Sequence, residues 1–183
     1  MADLTASFMR TQIIGSALFF LLFFAVILPH VLLSGQPWGD VFSAPFQWSL
    51  VWFVPLLVAF IVAHEFLHGV GFHFFGGVAW RNIRFGVKWS MLTPFAATSK
   101  PMSARAYRGA VTLPLALAVP AAVIGTAISS SDVVVFSAVM TGASAGDLLV
   151  LWMMRRVPPD ALVRDATDRV GCEVILPGEA SQK

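Results

Sequence analysis

The sequence predicts an all-α membrane protein: four transmembrane helices with a small cytoplasmic-side β-hairpin between the second and the third. Three observations carry this. The 183 residues are 57% hydrophobic and only 12% charged, where a soluble domain carries about 25% charged residues. Four stretches are apolar over the length that a bilayer requires, about 20 residues of helix. All 12 Lys and Arg residues fall on one side of a four-span arrangement. That one-sided placement accounts for the basic balance, so the expected partner is the lipid bilayer and not nucleic acid. The length fits a single integral membrane domain, residues 1–183. Cys172 is the sole cysteine, so no intrachain disulfide can form.

The first span runs from Thr11 to Leu33. It is too long for a signal-peptide core and no small-residue cleavage site follows, so it reads as a retained helix. The loop from Ser34 to Phe46 has no Lys or Arg. The second span runs from Trp48 to Phe75, with Glu65 its only formal charge.

Next comes a basic segment, Gly76 to Arg108, with Arg81, Arg84, Lys88, Lys100, Arg105 and Arg108 and no acid. Within it residues 82–99 look β-like. Ile83, Phe85, Val87, Trp89 and Met91 alternate with Arg84, Gly86, Lys88 and Ser90, the period of a strand with one buried face. Thr93-Pro94 is expected to turn the chain and "FAATS" to return it. Such a strand serves either as a membrane-surface anchor or as an edge that pairs with an extended substrate.

The third span covers Gly109 to Ile128. Its Pro114 and Pro120 are tolerable in a membrane helix, where neighbours can satisfy the freed carbonyls. The fourth covers Val133 to Met154, with Asp147 its only charge, and a cytoplasmic tail follows from 155 to 183. The positive-inside rule then puts both termini in the cytoplasm. No internal repeat is visible.

The second span contains "HEFLH", residues 64–68. Ionisable groups inside an apolar span are costly and point to function. His64 and His68, spaced i, i+4, lie about 40° apart on one helix face, one turn from each other. Two imidazoles so placed can converge on zinc, with Glu65 as base toward a zinc-activated water. The bland account is a buried, hydrogen-bonded cluster, which a lone histidine would favour and this pattern does not. His73 falls about 140° around from His68 and next to Gly76-Gly77, so it reads as a packing histidine. His30 lies near the opposite membrane surface.

Zinc needs a third protein ligand. Asp132 follows Ser129-Ser130-Ser131 and reads as an N-cap on the wrong side. Asp147 is the better candidate. His68 lies seven residues before Phe75 and Asp147 seven before Met154, so both sit ~10 Å from their cytoplasmic helix ends. Around it, "GASAGD" has small residues that permit close helix approach.

These features together, from Ser49 to Pro177, resemble a zincin-peptidase family of bacterial membrane proteins. The closing "DATDRVGCEVILP" is similar to that family's last segment. The family in turn looks like a reduced relative of site-2 proteases, the intramembrane zinc metalloproteases. The resemblance implies His64, His68 and Asp147 as Zn2+ ligands and Glu65 as the catalytic base. It also implies a multi-pass protein of the bacterial inner membrane that acts on membrane-embedded or membrane-associated protein substrates. Site-2 proteases carry Asp-Gly with an upstream Asn-Pro; here the order is Gly146-Asp147-Leu148 with no Asn-Pro nearby, which leaves the substrate class open. Two other readings use the same ligands: a membrane metal-ion transporter, and an inactive zinc-stabilised scaffold. Oligomeric state is not legible.

Overall fold

The computed structural model describes residues 2–6, 8–47, 50–89, 93–166 and 170–175. The chain runs β1 (Ala2–Ala6), α1 (Phe8–Ser34), α2 (Trp38–Gln47), α3 (Leu50–Phe74), β2 (Ile83–Lys88) and β3 (Thr93–Thr98). It continues through β4 (Met102–Ser103), α4 (Ala104–Ala127), α5 (Ser131–Ala143), α6 (Ala145–Met153), β5 (Leu162–Asp165) and β6 (Val170–Ile175). Four helical segments are long and apolar enough to cross a membrane: Ile13–Ser34, Val51–Phe74, Ala104–Ala127 and Ser131–Arg156. Their large apolar side chains point outward as well as inward. Phe20, Leu32, Val51, Val58, Val62, Val123 and Ile124 are all exposed. Helices that are apolar all round suit a lipid surround.

The chain divides into two compact units. Unit 1 comprises 1–15, 65–113 and 146–183; unit 2 comprises 16–64 and 114–145.

Unit 1 holds both sheets. β2 and β3 pair antiparallel, from Ile83 opposite Thr98 to Lys88 opposite Thr93, so the expected hairpin forms between α3 and α4. Two details differ from expectation. Thr93 and Pro94 lie inside β3 instead of turning the chain; residues 90–92, with Met91, lie outside the described residues. The apolar face is also not uniformly buried: Ile83 is, whereas Phe85, Val87 and Trp89 are exposed. Two strands lack the second layer needed to cover a face.

The second sheet was not foreseen. Its order is β1-β6-β5-β4, all antiparallel, so residues 2–6 pair with 170–174 and part of the expected tail is strand. Phe72, Ile83, Met102, Tyr107, Val111, Met154, Val163 and Cys172 build the apolar core of this unit.

Unit 2 contains α2, also unforeseen, in the loop without basic residues. Pro37 starts it, its carbonyl accepting from Asp40 and Val41 N–H. Val41 then buries against Ile27, Val134, Val135 and Ala138. His30 is fully buried, with Nε2 3.1 Å from Ser131 Oγ; that hydroxyl donates to Gln36 Oε1 at 2.5 Å. Ser130, not Asp132, occupies the N-cap of α5, and Asp132 falls in the first turn.

The expected fourth helix is interrupted. α5 ends at Ala143, Ser144 adopts φ −71° and ψ 5°, and α6 begins at Ala145. Gly142, Ser144 and Gly146 are weak helix formers, so a break there is cheap.

Candidate metal centre

α3 carries His64 and His68 one turn apart, both buried. The break at Ser144 places Asp147 in the first turn of α6, where the helix dipole favours a carboxylate. Ligand atoms of His64, His68 and Asp147 all lie within 4.8 Å of one another. The three residues predicted as ligands are thus brought together. His73, His30 and Asp132 are not in the group. His73 instead donates from Nδ1 to Val78 O at 2.8 Å and stacks on Trp80, closing the turn after α3.

His68 is held by an arrangement that begins in the next helix of the chain. In α4, Pro114 has no N–H, so the carbonyl of Ala110, four residues earlier, has no intrahelical donor. His68 Nδ1 lies 3.1 Å from that carbonyl and donates to it. The approach depends on Gly71, one turn beyond His68. A Cβ there would stand 2.4 Å from Ala110 Cα, a separation no side chain tolerates.

With the proton on Nδ1, Nε2 presents a lone pair. It faces Asp147 Oδ1 at 3.2 Å. A lone pair and a carboxylate oxygen at that distance require a cation between them or a second proton on the ring. At zinc–ligand distances of about 2.0–2.1 Å, two ligands of a tetrahedral ion stand ~3.3 Å apart. Two neutral imidazoles and one carboxylate are also a donor set suited to zinc. The residues therefore fit this ion.

Glu65 follows His64 directly, is partly buried and lies close enough to bear electrostatically on His68. It is the one formal charge of α3.

α4 also secures the surrounding parts of unit 1. The Tyr107 hydroxyl donates to Asp165 Oδ1 of β5 at 2.6 Å. Arg108 Nη2 donates to Met154 O at 2.5 Å and to Val157 O at 2.6 Å, closing the C-terminal end of the segment that bears Asp147. Burial raises the Asp165 carboxyl to about 6, against the opposing effect of its bonds from Tyr107 and the Thr98 N–H. Burial likewise pushes the Cys172 thiol up to about 11, so this cysteine is packing and not a nucleophile. Tyr107, Arg108, Ala110 and Asp165 were not foreseen as supports. The one signal in the sequence was Pro114, since a proline inside a helix marks a free carbonyl four residues back.

The fold has four helices long and apolar enough to cross a membrane, and its His-His-Asp group could hold a metal ion. The profile of the family described as "Putative zincin peptidase" matches residues 56–162, which is 107 of the 183 residues and spans His64 through Asp147. The chain belongs to that family. No curated protein and no solved structure matches it significantly.

Proposed function

We propose that this protein is an intramembrane zinc metallopeptidase that hydrolyses peptide bonds of membrane-embedded or membrane-associated proteins. The observation that carries the reading is His68 Nε2 facing Asp147 Oδ1 at 3.2 Å, on a helix whose other histidine completes the group. Zinc in such a set acts as a Lewis acid toward water and toward a scissile carbonyl. The protein's residues do the rest. His64, His68 and Asp147 hold the ion. The Ala110 carbonyl fixes the His68 tautomer so that its lone pair faces inward. Glu65 takes the proton from the attacking water and passes it to the leaving amide nitrogen. The apolar flanks of α3 keep bulk water from the carboxylate. Substrate backbone pairs with the outer edge of β2, which carries no strand among the described residues.

The test is zinc content measured alongside cleavage of a membrane-tethered reporter. Glu65→Gln should retain zinc and lose cleavage by a factor of about 10² or more, since the amide cannot take a proton. His64→Ala, His68→Ala and Asp147→Ala should each lose zinc, and Asp132→Ala should keep it. Full zinc in Asp147→Ala would reject the site. A Glu65→Gln protein that still cleaves would reject its role as base. Metal flux across vesicles without any cleavage would favour transport instead.

A further inference from the structure

Unit 2 holds a second feature with chemistry of its own. A cavity of about 420 Å³ is walled by Trp52, Phe53 and Phe60 of α3 and by Phe136 of α5, with Ser130 and Asp132 at one end. Phe60 and Phe136 stack at 4.8 Å between centroids, which makes one wall a rigid aromatic surface. Asp132 Oδ1 is buried and has no hydrogen-bond partner among the described residues. Ser130 sits at the N-cap of α5 but does not use its hydroxyl as a cap.

No basic residue of the Lys or Arg type within the unit is there to pair with that carboxylate. Residues 16–64 and 114–145 contain no Lys and no Arg. The dipole of α5 favours an acid in its first turn, yet leaves Oδ1 without a donor. A carboxylate beside aromatic rings in an apolar span is costly unless a cation meets it. The cavity falls within the size range of small-ligand sites, about 300–1,000 Å³, and its lining is mostly apolar. The complementary occupant has one cationic donor head and an apolar body. Aromatic walls also accept an ammonium over their faces.

We propose that this cavity binds a membrane lipid with a primary ammonium head group, of the ethanolamine class. The ammonium N–H donates to the Asp132 carboxylate, and the first methylenes of the lipid lie along Phe60 and Phe136. The site is independent of the zinc ligands, and neither proposal requires the other.

Delipidated full-length protein in detergent is titrated with short-chain phosphatidylethanolamine, phosphatidylcholine and phosphatidylglycerol, with binding read by native mass spectrometry. The ethanolamine lipid should bind at least about tenfold more tightly than the other two. Choline keeps the charge and tails but has no N–H, and glycerol has no cation. Asp132→Asn should bring the ethanolamine lipid to the level of the others while zinc content stays unchanged. Equal binding of the three lipids by the wild type would overturn the proposal. So would an Asp132→Asn protein that keeps the ethanolamine preference. If Asp132→Asn does not fold, the wild-type lipid series decides by itself, because the choline head group keeps the positive charge and replaces every N–H donor with a methyl group.

Discussion

At the scale of single residues, the site depends on one carbonyl. Ala110 O is available to His68 because Pro114 cannot donate to it. Pro114→Ala restores an N–H that competes for the same oxygen. The helix itself should gain stability, since an interior proline costs about 3 kcal/mol. The metal site should nevertheless weaken, because groups that orient a metal-bound histidine are worth about 10–100-fold in affinity. Competition with a chelator checks this. Native zinc affinity in a folded Pro114→Ala protein would show that the carbonyl does not orient His68. The pairing of i, i+4 histidines was legible because it depends only on helix geometry. The role of Ala110 was not, because an alanine carries no sign of which carbonyl it exposes.

At the scale of elements, the four-stranded sheet is tied to α4 through Tyr107 and Asp165. Burial holds the Asp165 carboxyl near 6, above its ordinary 3.8. The folded protein therefore binds this proton more tightly than the unfolded chain. Its stabilising effect is full below about pH 4 and is lost as pH rises toward 6, by an amount on the order of 2–3 kcal/mol. Asp165→Asn keeps an acceptor for Tyr107 and removes the ionisation. Its Tm should fall less than that of the wild type between pH 4 and 6.5, and parallel curves would contradict the assignment.

The hairpin offers a second element-scale test. Val87 pairs with Pro94. Pro94 suits a position where its missing N–H faces outward, and Val87 then directs its own N–H to the open edge of β2. Val87→Pro should leave zinc bound and lower cleavage far more than Arg84→Ala does. Equal cleavage by a folded Val87→Pro protein would leave β2 as a surface anchor.

At the scale of the whole molecule, the charge distribution makes a topological prediction. Positive residues stay inside, so Asp40 in α2 should face away from the cytoplasm and Lys100 and Arg156 toward it. In a Cys172→Ser background, Asp40→Cys should react with an impermeant maleimide on intact cells. Lys100→Cys and Arg156→Cys should react only after lysis. Labelling of Lys100→Cys from outside would invert the arrangement and place the candidate metal centre near the opposite leaflet.

What the sequence determined by itself is what short-range physics encodes. Span length follows from apolar run length, the His64–His68 pairing from the helical repeat, and the matched depth of His68 and Asp147 from equal counts to the helix ends. The alternation in 83–88 was enough to place a strand there. Tertiary structure decided the rest. The break at Ser144 trades weak local propensity against packing, and places Asp147 at a helix start. The pairing of β1 with β6 joins residues 2–6 to 170–174, and no local pattern specifies a partner so distant along the chain. The hold on His68 needs the missing side chain of Gly71, the missing N–H of Pro114 and the approach of Ala110 at once. The first two are absences in the sequence, and they acquire chemical meaning only when packing brings α3 and α4 together.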